Sequence, residues 1–135
     1  MLRKNAKIAL IAGVPLFAGC SKRELAEIAS LADELAVPAG RKLASQGASG
    51  REFVVIAEGA AEVRRNGRVV NRLHAGDFLG EIALVTGQKR TATVTTTEPC
   101  RLLVVTSHAF RALLRNLPGL QLKVLDAVAA RLPAD

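Results

Sequence analysis

Between Val37 and about residue 105 the chain never runs far without a turn residue, and that punctuation confines it to short strands. Pro38, Gly40, Gly47, Gly50, Gly59, Gly67, Gly76 and Gly80 fall between runs rich in β-branched and apolar side chains. The runs read as strands over Lys42–Ser45, Glu52–Glu58, Ala61–Arg65, Arg68–Leu73, Thr91–Thr97 and Arg101–Val105. The strongest local signal is Arg65-Asn66-Gly67-Arg68. Asn-Gly supplies both positive φ angles of a type I′ turn, so residues 61–65 and 68–73 should form a hairpin. Regularly spaced short strands of this kind close into a sandwich or barrel.

Helical spacing flanks this body on both sides. Ser21-Lys22-Arg23-Glu24 has the form of a capping box, and Leu25, Ile28, Ala29, Leu31, Ala32 and Leu35 follow on one face of a helix over about 21–35. Near the C-terminus Ser107 can cap a helix carrying Phe110, Leu113 and Leu114. Pro118 suits the first turn of another, with Leu122, Leu125, Val128, Ala129 and Leu132 on one face. The expected fold is therefore α+β in a single domain: a helical lead-in over 1–36, a β body over 37–106 and C-terminal helices over 107–133.

A chain of 135 residues suffices for this without staples, since it buries roughly two-thirds of its unfolded surface. The two cysteines, Cys20 and Cys100, have no CxxC or His-rich spacing, which disfavours structural zinc and fits reduced thiols in a cytoplasm. Arg3, Lys4 and Lys7 precede an apolar run from Ile8 to Phe17 and then Ala18-Gly19-Cys20, the layout of a short secretory signal. Gly13 and Pro15 interrupt the run, however, and the capping box at Ser21 makes Leu16 and Phe17 the natural apolar lead-in beneath the following helix. No segment has the apolar length of a membrane span.

The net charge is +7, from 19 basic and 12 acidic residues. Residues 1–40 carry 5 basic and 4 acidic side chains, residues 41–100 carry 9 and 6, and residues 101–135 carry 5 and 2. A surplus spread in this way reads as a solvated surface, with an anion groove as the sharper alternative. Trp and Tyr are absent, which weakens any reading that needs stacking platforms for single-stranded nucleic acid. A recognition helix for duplex DNA is not evident either, and no nucleic-acid partner is expected.

The stretch with chemical content runs from Gly76-Asp77-Phe78-Leu79-Gly80-Glu81 through Arg90-Thr91-Ala92-Thr93-Val94. Residues 81–85 can make one helical turn whose first N–H groups form an anion site, and Gly80 lets a ligand approach the backbone. Arg90 adds a planar fork for two phosphate oxygens. Glu81 would repel a phosphate but would accept from a sugar hydroxyl. The pair therefore suits a ligand offering both an anion and a hydroxyl, unless Glu81 and Arg90 simply bridge a loop to a strand. A Walker A loop is excluded, because six residues separate Gly80 from Gly87 and Gln88 stands where the lysine belongs.

Gly80-Glu81-Ile82-Ala83-Leu84 with Arg90-Thr91-Ala92-Thr93-Val94 closely resembles the phosphate-binding cassette of the cyclic nucleotide-binding domain family. Val14-Pro15-Leu16-Phe17, Pro38-Ala39-Gly40, Gln46-Gly47, Ile56 to Gly59, Gly76-Asp77-Phe78 and Phe110 with Leu113 continue the likeness in order over about residues 14–125. The resemblance implies an antiparallel, jelly-roll-like β-roll of about eight strands that cradles cyclic AMP or cyclic GMP. By the same resemblance Arg90 would pair with the cyclic phosphate and Glu81 would accept the ribose 2′-hydroxyl. Backbone N–H groups around Ile82 and Ala83 would bind phosphate oxygens, Gly80 would admit the sugar, and Thr91 would touch base or phosphate without deciding between the two nucleotides.

Two departures stand out: Lys89 replaces a proline common before the arginine, and the last helix offers no aromatic residue to stack on the base. Arg131 is the candidate cap, against the plainer reading of a solvated helix end. The resemblance implies a non-catalytic sensor in the cytoplasm, without a cofactor beyond the nucleotide. Ligand would draw the C-terminal helices over the pocket, for an effector protein not identifiable from sequence. A ligand-free interaction module of the same fold is the alternative, and a homodimer through the last helix is left open. The chain stops too early for a further effector domain, so it is expected to act on a separate partner or to be a fragment. An enzyme has little support, since His74 and His108 are the only histidines and no nucleophile–base arrangement is legible.

Overall fold

The computed structural model describes residues 2–81, 84 and 89–131, with backbone only at 128, 130 and 131. Four helices and eight strands occur among them. Helix α1 (Lys4–Ala12), a 3-10 turn (Pro15–Phe17) and α2 (Lys22–Leu31) lead in. Strands β1 (Asp33–Val37), β2 (Lys42–Ala44), β3 (Glu52–Glu58), β4 (Ala61–Arg65), β5 (Arg68–Leu73), β6 (Phe78–Leu79), β7 (Thr93–Thr96) and β8 (Cys100–Thr106) form the body. Helices α3 (Ser107–Asn116) and α4 (Pro118–Arg131) close the chain.

The strands make two four-stranded antiparallel sheets, ordered β1-β8-β3-β6 and β2-β7-β4-β5. This is the α+β roll with flanking helices. Its centre explains the near-continuous apolar runs of β3 and β8. Val54, Ile56, Leu102 and Val104 face the interior between the sheets, together with Val37, Ala61, Leu73 and Val94. The alternate residues Phe53, Val55, Leu103 and Val105 face outward into a second core built by the helices. A strand covered on both faces has no use for polar alternation.

Local signals hold where they are self-contained. Asn66 and Gly67 have φ of 54° and 80°, the type I′ turn expected between β4 and β5. Ser21 Oγ accepts from the Glu24 N–H while Glu24 accepts from the Ser21 N–H, which completes the capping box. The apolar run near the N-terminus belongs to the fold: Ile11, Val14, Leu16 and Phe17 are all buried in the helix-side core.

Four expectations need correction. The first concerns Leu35, which is not on a helix. Residues 33–37 form β1, paired with β8 from Asp33↔Val104 to Val37↔Cys100, and Leu35 is 47% exposed. Ladder hydrogen bonds to a strand distant in sequence override the helical spacing there, and the β body begins at Asp33 rather than 37. Second, Thr106 rather than Ser107 caps α3, its Oγ1 accepting from the Ala109 N–H at 3.1 Å. Third, the strand expected over 91–97 is confined to Thr93–Thr96.

The last correction concerns α4. Its buried contacts come from Leu120 and Val124, whereas Leu122 and Leu125 are 67% and 64% exposed. The helix docks on the Pro15–Phe17 turn and α3, which selects a different stripe from the one its leucines suggest.

Candidate functional site

The end of β6, the start of β3 and the segment leading into β7 converge at one corner of the roll. Strand β6 pairs with β3 through Val54↔Leu79 and Val55↔Phe78, which carries Gly80 toward Glu52. The Arg90 backbone is held from the other side: its N–H donates to the Ala48 carbonyl at 2.9 Å and its carbonyl accepts from the Gly47 N–H at 2.8 Å. Both ends of the cassette are thus fixed by backbone hydrogen bonds before any side chain contributes.

Within this frame the Arg90 guanidinium occupies a slot that only glycines leave open. A Cβ at Gly50 would collide with Arg90 Nε and Cζ, and a Cβ at Gly80 would collide with Arg90 Nη1 and the Glu52 carbonyl. Gly80 also has φ of 81°, which a side-chain-bearing residue rarely adopts. Arg90 Nη2 donates to the Glu52 carbonyl. Partial burial lowers the Arg90 pKa and the nearby Glu52 carboxylate opposes that shift, so the guanidinium stays a cation. The side chain contributes to a cavity of about 230 Å³, lined among the described residues by Leu43, Ala44, Ala48, Val54 and neighbours from β2 and β3.

Glu81, immediately after Gly80, is 6% exposed, among the few charged residues buried in the structure. The Leu84 N–H donates to the Glu81 carbonyl at 3.3 Å, and Leu84 is fully buried in the helix-side core with Phe53. Leu84 thus fastens the stretch after Gly80 to the core by an apolar side chain, while the rest of the turn expected over 81–85 lies outside the described residues. Glu81 and Arg90 form no ion pair among the described residues; the guanidinium turns to the Glu52 carbonyl instead. The corner therefore holds a half-buried cation, a buried carboxylate and glycine-cleared backbone, a set suited to an anion that also carries a hydroxyl.

The sequence of this corner matches a family model, that of the cyclic nucleotide-binding domain, over residues 34–116. The chain belongs to the cyclic nucleotide-binding domain family. A cAMP-dependent protein kinase regulatory subunit of Mycosarcoma maydis is 40% identical over 116 residues, 79% of this chain and 22% of that protein. The chain spans 22 to 26% of the length of the curated relatives it matches first.

Among solved structures, the N-terminal domain of a transcriptional regulator from Streptomyces coelicolor superposes with a TM-score of 0.82 at 27% identity. That match covers 90% of this chain and 91% of that one. The regulatory domain of Toxoplasma gondii PKA, crystallised with cAMP, gives a TM-score of 0.75 at 25% identity over 82% of this chain and 44% of that one.

Of the residues expected at the site, the structure brings Gly80 against the Arg90 guanidinium, and Glu81 follows Gly80 in the chain as a buried carboxylate that is not among the described residues lining the cavity. Thr91 is exposed, and its carbonyl accepts from Arg65 Nε at 3.3 Å. Ile82, Ala83 and the Arg131 side chain lie outside the described residues. Sequence reasoning missed Gly50 and Glu52. Along the sequence Gly50 reads as one more corner between strands; nothing local marks it as the clearance for a side chain forty positions on.

Proposed function

We propose that this domain is a non-catalytic cyclic nucleotide sensor, with Arg90 gripping the cyclic phosphate and Glu81 accepting the ribose 2′-hydroxyl. The observation that carries this reading is the half-buried Arg90 guanidinium in a slot kept clear by Gly50 and Gly80. A cation held there without a carboxylate ion pair among the described residues is poised for an external anion. The relatives named above, a cAMP-dependent regulatory subunit and a regulatory domain crystallised with cAMP, support cyclic AMP as the first ligand to test. Backbone N–H groups of Ile82 and Ala83 complete the phosphate contacts, and Thr91 contributes at the base or phosphate.

Binding moves α4 toward the cup, for which its exposed Leu122 and Leu125 supply apolar surface, and an effector protein reads the change. The free thiols Cys20 and Cys100 are in keeping with a cytoplasmic setting. No described helix is long and apolar enough to cross a membrane.

Calorimetry with cyclic AMP and cyclic GMP tests the proposal. Micromolar or tighter binding of at least one nucleotide is expected, with the heat lost in Arg90→Ala while thermal unfolding of that variant stays near wild type. The nucleotide should be recovered unchanged after prolonged incubation. Absence of heat with both nucleotides, or full binding by Arg90→Ala, would overturn the reading in favour of a ligand-free interaction module.

A further inference from the structure

Arg51 lies more than fifty residues from His108, Arg111 and Arg115, yet the four share one cleft in the fold. The cleft has a volume of about 600 Å³ and lies between the start of β3 and α3. His108, Arg111 and Arg115 follow at helical spacing on α3, opposite the buried stripe of Phe110 and Leu113. The Ser107 N–H donates to the Arg51 carbonyl at 2.8 Å, and this bond sets the β3 end of the wall against the helix. Among the described residues none of the three guanidiniums makes an ion pair or a side-chain hydrogen bond. All three are exposed, and among the described residues Glu52 is the only carboxylate of the lining. The fold thus turns a surplus that looks diffuse along the chain into a lining that is net positive among the described residues.

We propose that this cleft docks an acidic peptide segment of a partner protein. Three unpaired guanidinium forks match carboxylates in geometry as well as charge. The surface is concave, which fits a single extended chain better than a flat membrane surface. Among the described lining residues there is no Phe, and the His108 imidazole is the one ring on which a base could stack, a poor platform for single-stranded nucleic acid. Arg111 and Arg115 repel one another one helical turn apart, so the helix gains nothing from keeping both unless something outside neutralises them. The cleft shares Ser49, Gly50, Arg51 and Glu52 with the cavity beside Arg90, which places the docked segment next to the candidate site. The inference goes beyond nucleotide sensing and does not depend on a nucleotide occupying that cavity.

The test is fluorescence anisotropy of a labelled peptide rich in Asp and Glu, titrated with the purified domain at physiological ionic strength. Arg111→Glu/Arg115→Glu should weaken binding at least about tenfold, and Arg111→Gln/Arg115→Gln should weaken it in the same direction. Arg68→Glu/Arg72→Glu, an equal charge change on the exposed β5, should change it by less than about threefold. Thermal unfolding identifies any variant that fails to fold, and the glutamine pair then carries the comparison. Equal losses in the cleft and β5 variants would overturn the proposal, because net charge alone would explain the binding. Displacement of the peptide by oligothymidylate or by phosphatidylserine vesicles, lost in the same cleft variants, would also overturn it in favour of nucleic acid or a membrane.

Discussion

Gly50 and Gly80 both clear space for the Arg90 guanidinium, yet replacing them should have different consequences. At Gly80 an added Cβ meets the backbone carbonyl of Glu52 as well as Arg90, and the residue sits at a φ of 81°. Gly80→Ala should therefore lose on the order of 2 kcal/mol of stability along with nucleotide affinity. At Gly50 the three nearest atoms belong to the Arg90 side chain, which can swing away. Gly50→Ala should leave stability within about 0.5 kcal/mol of wild type, since no fixed neighbour is displaced. Its nucleotide affinity should fall roughly tenfold to a hundredfold, the loss of one well-placed charge-assisted contact.

Urea unfolding and calorimetry on the two variants separate these effects, and an unchanged affinity in Gly50→Ala would show that the slot does not position Arg90. The proposed charged ligand contacts, Glu81 and Arg90, were legible because they sit in a recognisable cassette. The residue that makes room for one of them was not. Its requirement arises only when strand β3 brings Gly50 beside a guanidinium from the far end of the roll.

Elements that complete their own hydrogen bonds were legible for the complementary reason. The Asn66-Gly67 turn and the Ser21 capping box close within four residues, so sequence alone contains both partners. Strand β1 takes every ladder partner from β8, nearly seventy residues away, and its leucine falls by chance on the spacing of the preceding helix. Strand β6 is two residues long and carries too little pattern to be seen. The same logic applies to how α4 is held. Lys123 Nζ donates to Glu24 Oε1 at 2.5 Å, tying α4 to the capped end of α2.

The hydrogen bond from Lys123, helped by the Ser21 N–H, lowers the Glu24 pKa below its usual value of 4.5. A carboxyl depressed in the folded state contributes stability that is present above its unfolded pKa and is lost as pH falls through the folded one. Lys123→Met should cost about 0.5 to 1 kcal/mol near neutral pH, a figure reduced for the solvent that reaches the lysine. The deficit relative to wild type should shrink as pH drops below about 4.5. Parallel pH–stability curves for the two proteins would remove this pair from the account of how α4 is docked.

At the scale of the molecule, three phenylalanines join parts of the chain that share no hydrogen-bonded ladder. Phe17 from the 3-10 turn lies 5.7 Å from Phe53 of β3 in an edge-on arrangement and 5.6 Å from Phe110 of α3, measured between ring centroids. All three are fully buried. Phe53 directly follows Glu52, whose carbonyl receives the Arg90 guanidinium, so the helix-side core and the candidate site are one peptide bond apart.

A sequence with only four aromatic residues places three of them at this junction, which sequence reading could assign to helices and strand but not to one another. If the junction acts as a unit, Phe17→Leu and Phe110→Leu should each cost about 1 to 2 kcal/mol, and the double variant should cost less than their sum. Edge-on and tilted ring pairs add about 0.5 to 1.5 kcal/mol beyond area burial, and that coupling can be lost only once. Urea unfolding of the four proteins in the cycle measures it. Strict additivity would mean that the rings merely fill space, and that the lead-in and C-terminal helices are fastened to the roll independently of each other.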